Sequence, residues 1–145
     1  MHHDLSMPSP MHSQSWDVLV IGAGVAGAAA AIDAARQLGS GDRVLLVEHA
    51  AWPRAKVCGC CLNAAAVSLL DRLDVLPFIR AAGAAPITAA EIRRGRWKAT
   101  LPQRGGFAIA RRTLDALLVS AATHAGAEFV PVSYTHLTLP TNREV

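Results

Sequence analysis

A chain of 145 residues has room for one domain, and 52% hydrophobic against 17% charged residues supplies enough apolar surface for a core, which excludes wholesale disorder. The net charge of +3 is modest, and Arg93, Arg94, Arg96, Lys98, Arg104, Arg111 and Arg112 are scattered with no aromatic ladder between them, which argues against a nucleic-acid partner. The uncharged run from Val18 to Ile32 is too short for a bilayer and is broken by glycines, so no transmembrane segment is expected. No basic, apolar, small-residue series opens the chain, and Cys58, Cys60 and Cys61 lie too close together for a secreted disulfide framework, so a cytoplasmic location is the expectation.

Residues 1–15 mix Met, His, Ser, Pro and Asp without periodicity and read as a disordered leader. Trp16 to Ile21 reads as a buried parallel strand, followed at once by Gly22-Ala23-Gly24-Val25-Ala26-Gly27 and a helix to about Leu38. Gly22 allows the tight turn, Gly24 lets a pyrophosphate approach the backbone, and Gly27 lets the helix pack closely on the sheet. Val25 and Ala26 stand at the open helix N-terminus, where free N–H groups and the dipole favour an anion. After a turn at 39–42 comes a second strand, Arg43 to Glu48, apolar throughout until its terminal acid. Glu48 lies about 20 residues past the last glycine, where a carboxylate can accept hydrogen bonds from a ribose. Strand, glycines, alanine-rich helix, strand and acid together indicate dinucleotide binding on an α/β, Rossmann-like domain.

His49 to Leu62 reads as a loop, and Asn63 as the N-cap of a helix to about Leu73 with Val67, Leu70 and Leu73 on one face. A short helix covers Val75 to Ala82. Ile87–Arg93 and Trp97–Leu101, joined by Arg94-Gly95-Arg96, read as antiparallel strands, and Phe107–Ala110 as a third short one. Thr113 to Ala125 reads as an amphipathic helix with Leu114, Leu117, Leu118 and Ala121 inward, stopped by Gly126, and Ala127 to Val130 returns to the parallel sheet. The Cys58-Gly59-Cys60-Cys61 cluster supplies at most three thiolates with no completing ligand pair, so no metal site is expected, and a Cys58–Cys61 redox disulfide is disfavoured. His49 and His124 read as surface or packing residues.

Pro53-Arg54-Ala55-Lys56-Val57-Cys58-Gly59, then Cys61-Leu62-Asn63 leading to Leu70-Asp71-Arg72-Leu73, then Ala110-Arg111-Arg112-Thr113-Leu114-Asp115 give a second line of inference. With the glycine motif they resemble the N-terminal half of FAD-dependent oxidoreductases of the para-hydroxybenzoate hydroxylase and geranylgeranyl reductase group. The resemblance covers roughly residues 16–130, and it departs at Leu73-Asp74, where relatives tend to have Leu-Gly. It implies FAD as cofactor, with Gly22, Gly24, Val25, Ala26 and Gly27 at the pyrophosphate, Glu48 on the adenosine ribose, Arg54 and Lys56 along the cofactor, and Arg111 toward the phosphates or ribityl chain. It also implies a substrate pocket shaped by Cys58 and Gly59, a small-molecule substrate, and NAD(P)H as electron donor. The activity implied is that of a monooxygenase or an isoprenoid-type reductase, with no catalytic acid or base assignable. A nicotinamide-dependent dehydrogenase and a non-catalytic dinucleotide-binding module are the alternatives.

Residues 132–145, from Val132-Ser133-Tyr134-Thr135-His136-Leu137 onward, resemble one translated frame of a transposase-based sequencing adapter. They are set apart as a non-native tail, which makes residues 16–131 the N-terminal part of an incomplete FAD-binding domain. The 145-residue product is accordingly expected to be inactive and to bind FAD poorly.

Overall fold

The computed structural model describes residues 15–38, 43–54, 56–57 and 61–132. The expected leader to residue 14, the turn at 39–42, Cys58-Gly59-Cys60 and the tail from 133 lie outside the described residues. The chain opens as read: strand β1 (Val18–Ile21), helix α1 (Val25–Gln37) and strand β2 (Val44–Glu48). After an intervening segment, helix α4 (Arg111–His124) leads into strand β6 (Glu128–Pro131), which pairs parallel to β2 on the side away from β1. The resulting order β1-β2-β6 makes β2 the central strand, and all five of its residues are buried, as a run of four consecutive aliphatics requires.

Register explains which face is covered. Val18 stands beside Val44 and Val20 beside Leu46, which in turn pairs with Phe129; these residues pack with Ala28, Ala31 and Ile32 of α1 and Leu114, Leu118 and Ala122 of α4. The alternate residues of β1 point to the opposite face, because strand side chains alternate. There Leu19 and Ile21 are 56% and 75% exposed. The expectation of a buried first strand is therefore corrected: Val18 and Val20 are only partly buried, and Leu19 and Ile21 face outward. Both helices lie on the other face, and within the described sheet β1 is an edge.

The α1–sheet contact is close because of one glycine. A Cβ on Gly27 would lie 1.9 Å from the carbonyl oxygen of Gly22 and 3.4 Å from Val20. The obstacle is backbone, so it cannot rotate away. Gly22 itself is fixed, with φ +99° and its N–H donated to Val47 O at 2.7 Å.

The segment between β2 and α4 forms a second sheet, ordered β3-β5-β4, from strands β3 (Cys61–Leu62), β4 (Ala85–Arg94) and β5 (Trp97–Ala108). Helices α2 (Ala64–Arg72) and α3 (Leu76–Ala81) fall between β3 and β4. Asn63 caps α2 as expected, its side-chain oxygen accepting from Ala66 N at 2.8 Å. Two strand readings are corrected. Phe107 and Ala108 end β5 rather than form a strand of their own, because Gln103, Arg104 and Gly105 are absorbed as a bulge between the Ile87↔Gly106 and Ala89↔Pro102 pairs. Cys61 and Leu62, read as loop, pair with Ala108 and Phe107. α4 also starts two residues earlier than read, at Arg111.

α2 ends at a residue of the wrong type for its conformation. Asp74 has φ +54°, the left-handed region that Gly adopts without cost, and its carboxylate lies 3.1 Å from Arg36 of α1 in an exposed ion pair. The strain of an Asp there is about 1 kcal/mol, and an exposed ion pair returns about 0–1 kcal/mol.

Two stability outcomes follow from this packing. Gly27→Ala, which at an ordinary helical site would stabilise by about 1 kcal/mol, is expected to destabilise by more than about 3 kcal/mol in thermal or urea melts, while Ala30→Gly on the exposed side of α1 costs only about 1 kcal/mol. Asp74→Gly is expected to be neutral or to stabilise by up to about 1 kcal/mol in the same melts, with no effect on ligand binding.

Candidate functional site: the glycine turn and its arginines

The β1–α1 turn, the end of β2, the loop after it and the first turns of α4 meet at one place. Gly24 is the N-cap of α1 and offers no side-chain cap, so the first N–H groups of the helix are left for another acceptor. A Cβ on Gly24 would lie 3.2 Å from Arg54 Nη2 and 3.4 Å from Arg111 Nη2. Two guanidinium groups from distant segments thus converge on the bare backbone where an anion would sit.

Each arginine is positioned by its own element. The loop carrying Arg54 is pinned by Trp52, whose ring meets Phe129 of β6 edge-on at a centroid distance of 5.3 Å. Arg111 is the first residue of α4, and its Nε donates to Asp115 Oδ1 at 2.6 Å one helical turn on. Arg54 Nε lies 4.0 Å from the other oxygen of Asp115, and Arg54 Nη2 lies 3.4 Å from Glu48 Oε2. Glu48 and Asp115 are both only 1% exposed. Two buried carboxylates therefore balance two partly buried arginines.

Glu48 is the most heavily bonded group of the site. Its Oε2 accepts from Ala23 N and its Oε1 from Ala50 N, both at 3.0 Å. His49 Nδ1 stands 3.3 Å from Oε1 and Arg54 Nη2 3.4 Å from Oε2. Burial pushes this carboxyl upward, but the two backbone donors, then the charges of Arg54 and His49, outweigh it and hold Glu48 below its ordinary 4.5. A carboxylate accepts about four hydrogen bonds; backbone N–H groups take two positions here, and Arg54 and His49 stand at the others.

Of the residues expected at the site, Gly22, Gly24, Val25, Ala26, Gly27, Glu48, Arg54 and Arg111 are brought together at this turn. Lys56 is exposed, and among the described residues no hydrogen bond or ion pair ties it to them. Cys58 and Gly59 lie outside the described residues; their neighbour Cys61 lines an open cavity of about 680 Å³ with Asn63, Ile87, Ala90, Arg104 and Gly106. His49, read as a surface residue, is exposed but touches Glu48. Asp115 belongs to the Ala110–Asp115 segment that carries the resemblance, but sequence gives it no role at the site; its burial beside Leu114 and Leu118, against both arginines, does.

The residues fit a dinucleotide's pyrophosphate: open helix amides, a backbone that a Cβ would block, and the Nη2 groups of Arg54 and Arg111 beside it. Residues 17–56 match the family model described as an FAD binding domain. FAD is the cofactor of this fold. A 63-residue stretch is 46% identical to menaquinone reductase of Mycolicibacterium smegmatis, covering 43% of this chain and 15% of that protein. The myxobacterial chondrochloren halogenase, an FAD-dependent halogenase, superposes with TM-score 0.70 at 24% identity over 80% of this chain and 28% of its own. A flavoprotein/dehydrogenase from Cytophaga hutchinsonii gives TM-score 0.67 and 28% identity over 79% of this chain and 30% of its own. The chain thus spans less than a third of the length of these relatives. The matches favour the flavin reading over a nicotinamide-dependent dehydrogenase. No described helix is long and apolar enough to cross a membrane.

Because Glu48 is held below its ordinary value, its charge stabilises the fold fully above pH 4.5, and that contribution is lost as pH falls below 4.5 through the folded value. Glu48→Gln is expected to cost about 2–4 kcal/mol at pH 7, since its amide turns a donor toward a backbone N–H. The gap to the parent chain should close as urea midpoints are followed from pH 7 down to pH 3.

Proposed function

We propose that this chain is the cofactor-holding part of a flavin-dependent oxidoreductase, with residues 16–131 forming the N-terminal portion of its FAD-binding domain. The convergence of Arg54 and Arg111 on Gly24 carries the reading. Gly24 and the N-terminus of α1 cradle the pyrophosphate, the two guanidiniums clamp it, and Gly22 and Gly27 fix the turn. Glu48 takes the adenosine ribose by exchanging its longest contact: when Arg54 turns from Oε2 to the phosphates, one acceptor position of that oxygen is freed for a hydroxyl, Ala23 N keeping the other. Lys56 lies farther along the cofactor. Cys58 and Gly59 shape the approach of a small-molecule substrate, with NAD(P)H as electron donor. The bound flavin supplies the hydride chemistry, and the protein's part is to orient it and exclude water.

Between the two activities in question, the 46% identity to menaquinone reductase supports a reductase over a monooxygenase. The relatives matched are more than three times as long as the matched span, and no residue here is assigned as acid, base or nucleophile. The 145-residue polypeptide alone is therefore proposed to hold FAD weakly and not to turn over. Residues 132–145 are assigned to the adapter-like tail. The N–H of Val132, donated to Glu48 O at 2.7 Å, is backbone pairing that any residue but proline supplies.

Calorimetric titration checks the reading. ADP and FAD are expected to compete for one site, and NAD to bind no more tightly than FAD. Gly24→Ala meets only movable arginine side chains, so it should leave the melting temperature within a few degrees yet weaken ADP by at least about tenfold, or 1.4 kcal/mol. NAD binding tighter than FAD, or ADP binding untouched by Gly24→Ala, would overturn the proposal.

A further inference from the structure

Asp115 is unexpected on every structural ground. It stands on the buried face of α4 beside Leu114, Leu118 and Val119, and it is 1% exposed. Burying a carboxylate costs several kcal/mol unless its geometry repays it. An apolar residue would pack there at no such cost. Its order relative to Arg111 is also the less favourable one for an i,i+4 pair, with a cation in the first turn, where the helix dipole prefers an acid. Neither the core nor the helix benefits from this pair.

What the pair does is hold the clamp. Asp115 Oδ1 fixes Arg111 through Nε, which leaves its Nη2 directed at Gly24. Asp115 Oδ2 is buried with no hydrogen-bond partner, as is Arg54 Nε, and the two face each other at 4.0 Å. A shift of about 1 Å by Arg54 would join them in a charge-assisted hydrogen bond. Glu48 holds the other end of the same guanidinium. Arg54 is thereby strung between two carboxylates, with room to move from one toward the other.

We propose that Asp115 is a positioning residue: one carboxylate that orients both arginines, from two separate segments, to receive the pyrophosphate of the cofactor. The inference deepens the reading of this site as a dinucleotide cradle and rests on it. It makes the loop after β2 and the start of α4 a single unit toward phosphate. When phosphate draws Arg54 away from Glu48, Asp115 is the partner that receives its Nε.

Two effects of Asp115 oppose each other, and their sign separates them. As a charge, Asp115 partly neutralises the arginines, so removing it should tighten anion binding. As a positioning group, it fixes their forks, so removing it should loosen anion binding. The test is calorimetry on the 145-residue chain with ADP and with adenosine, which lacks phosphate. Asp115→Asn is expected to weaken ADP by about five- to tenfold and leave adenosine within about twofold. Asp115→Glu keeps the charge but misplaces it, and should weaken ADP comparably; it is read in place of Asp115→Asn if that variant does not fold. In an Arg111→Ala background the effect of Asp115→Asn on ADP should shrink, because one of its two clients is gone. Unchanged or tighter ADP binding in the folded variant overturns the inference. So does an equal loss for ADP and adenosine, which marks a merely structural role. A parent chain that binds adenosine nucleotides with no preference for phosphate overturns the reading beneath it.

Discussion

The carboxylate of Glu48, at the end of the central strand, receives the N–H of Ala23 from the glycine turn and the N–H of Ala50 from the following loop. Its charge also holds one end of Arg54. Turn, loop and arginine are therefore fastened to the central strand, which is buried along its whole length. This arrangement depends on Glu48 staying ionised while buried, which its two backbone donors and the charge of Arg54 favour. The same contacts that stabilise the fold hold the proposed phosphate cradle in place.

Asp115 repeats the device from α4. Two buried acids, Glu48 tied to the backbone and to Arg54 and Asp115 facing both arginines, set convergent donors at a helix N-terminus. A helix end alone would attract many anions weakly. Two planar guanidiniums above a bare glycine suit a multiply charged group that both can reach.

Much of this is written in local sequence. The four aliphatics of β2, the glycine spacing and the Asn63 cap each act over a few residues, and each reads directly as the element found. What sequence hides is long-range. Asp115 stands in a segment that carries the resemblance, but its approach to Arg54 exists only once α4 is packed against the loop after β2. Pro102-Gln103-Arg104-Gly105-Gly106 has the composition of a strand break, yet its partner strand holds β5 continuous by bulging it. Cys61 and Leu62 are too short a run to signal a strand without Phe107 and Ala108 beside them. Asp74 occupies a glycine's conformation, with an ion pair to Arg36 on another helix.

The central claim is that phosphate is received at the Gly24 turn by groups held on Glu48 and Asp115. It is tested most directly by following backbone amides and arginine Nε–H signals by NMR during an ADP titration. The largest shifts should fall on Gly24, Val25 and Ala26 and on the Nε–H of Arg54 and Arg111. Shifts concentrated elsewhere, for example around the cavity beside Cys61 and Arg104, with the Gly24 turn silent, would contradict it.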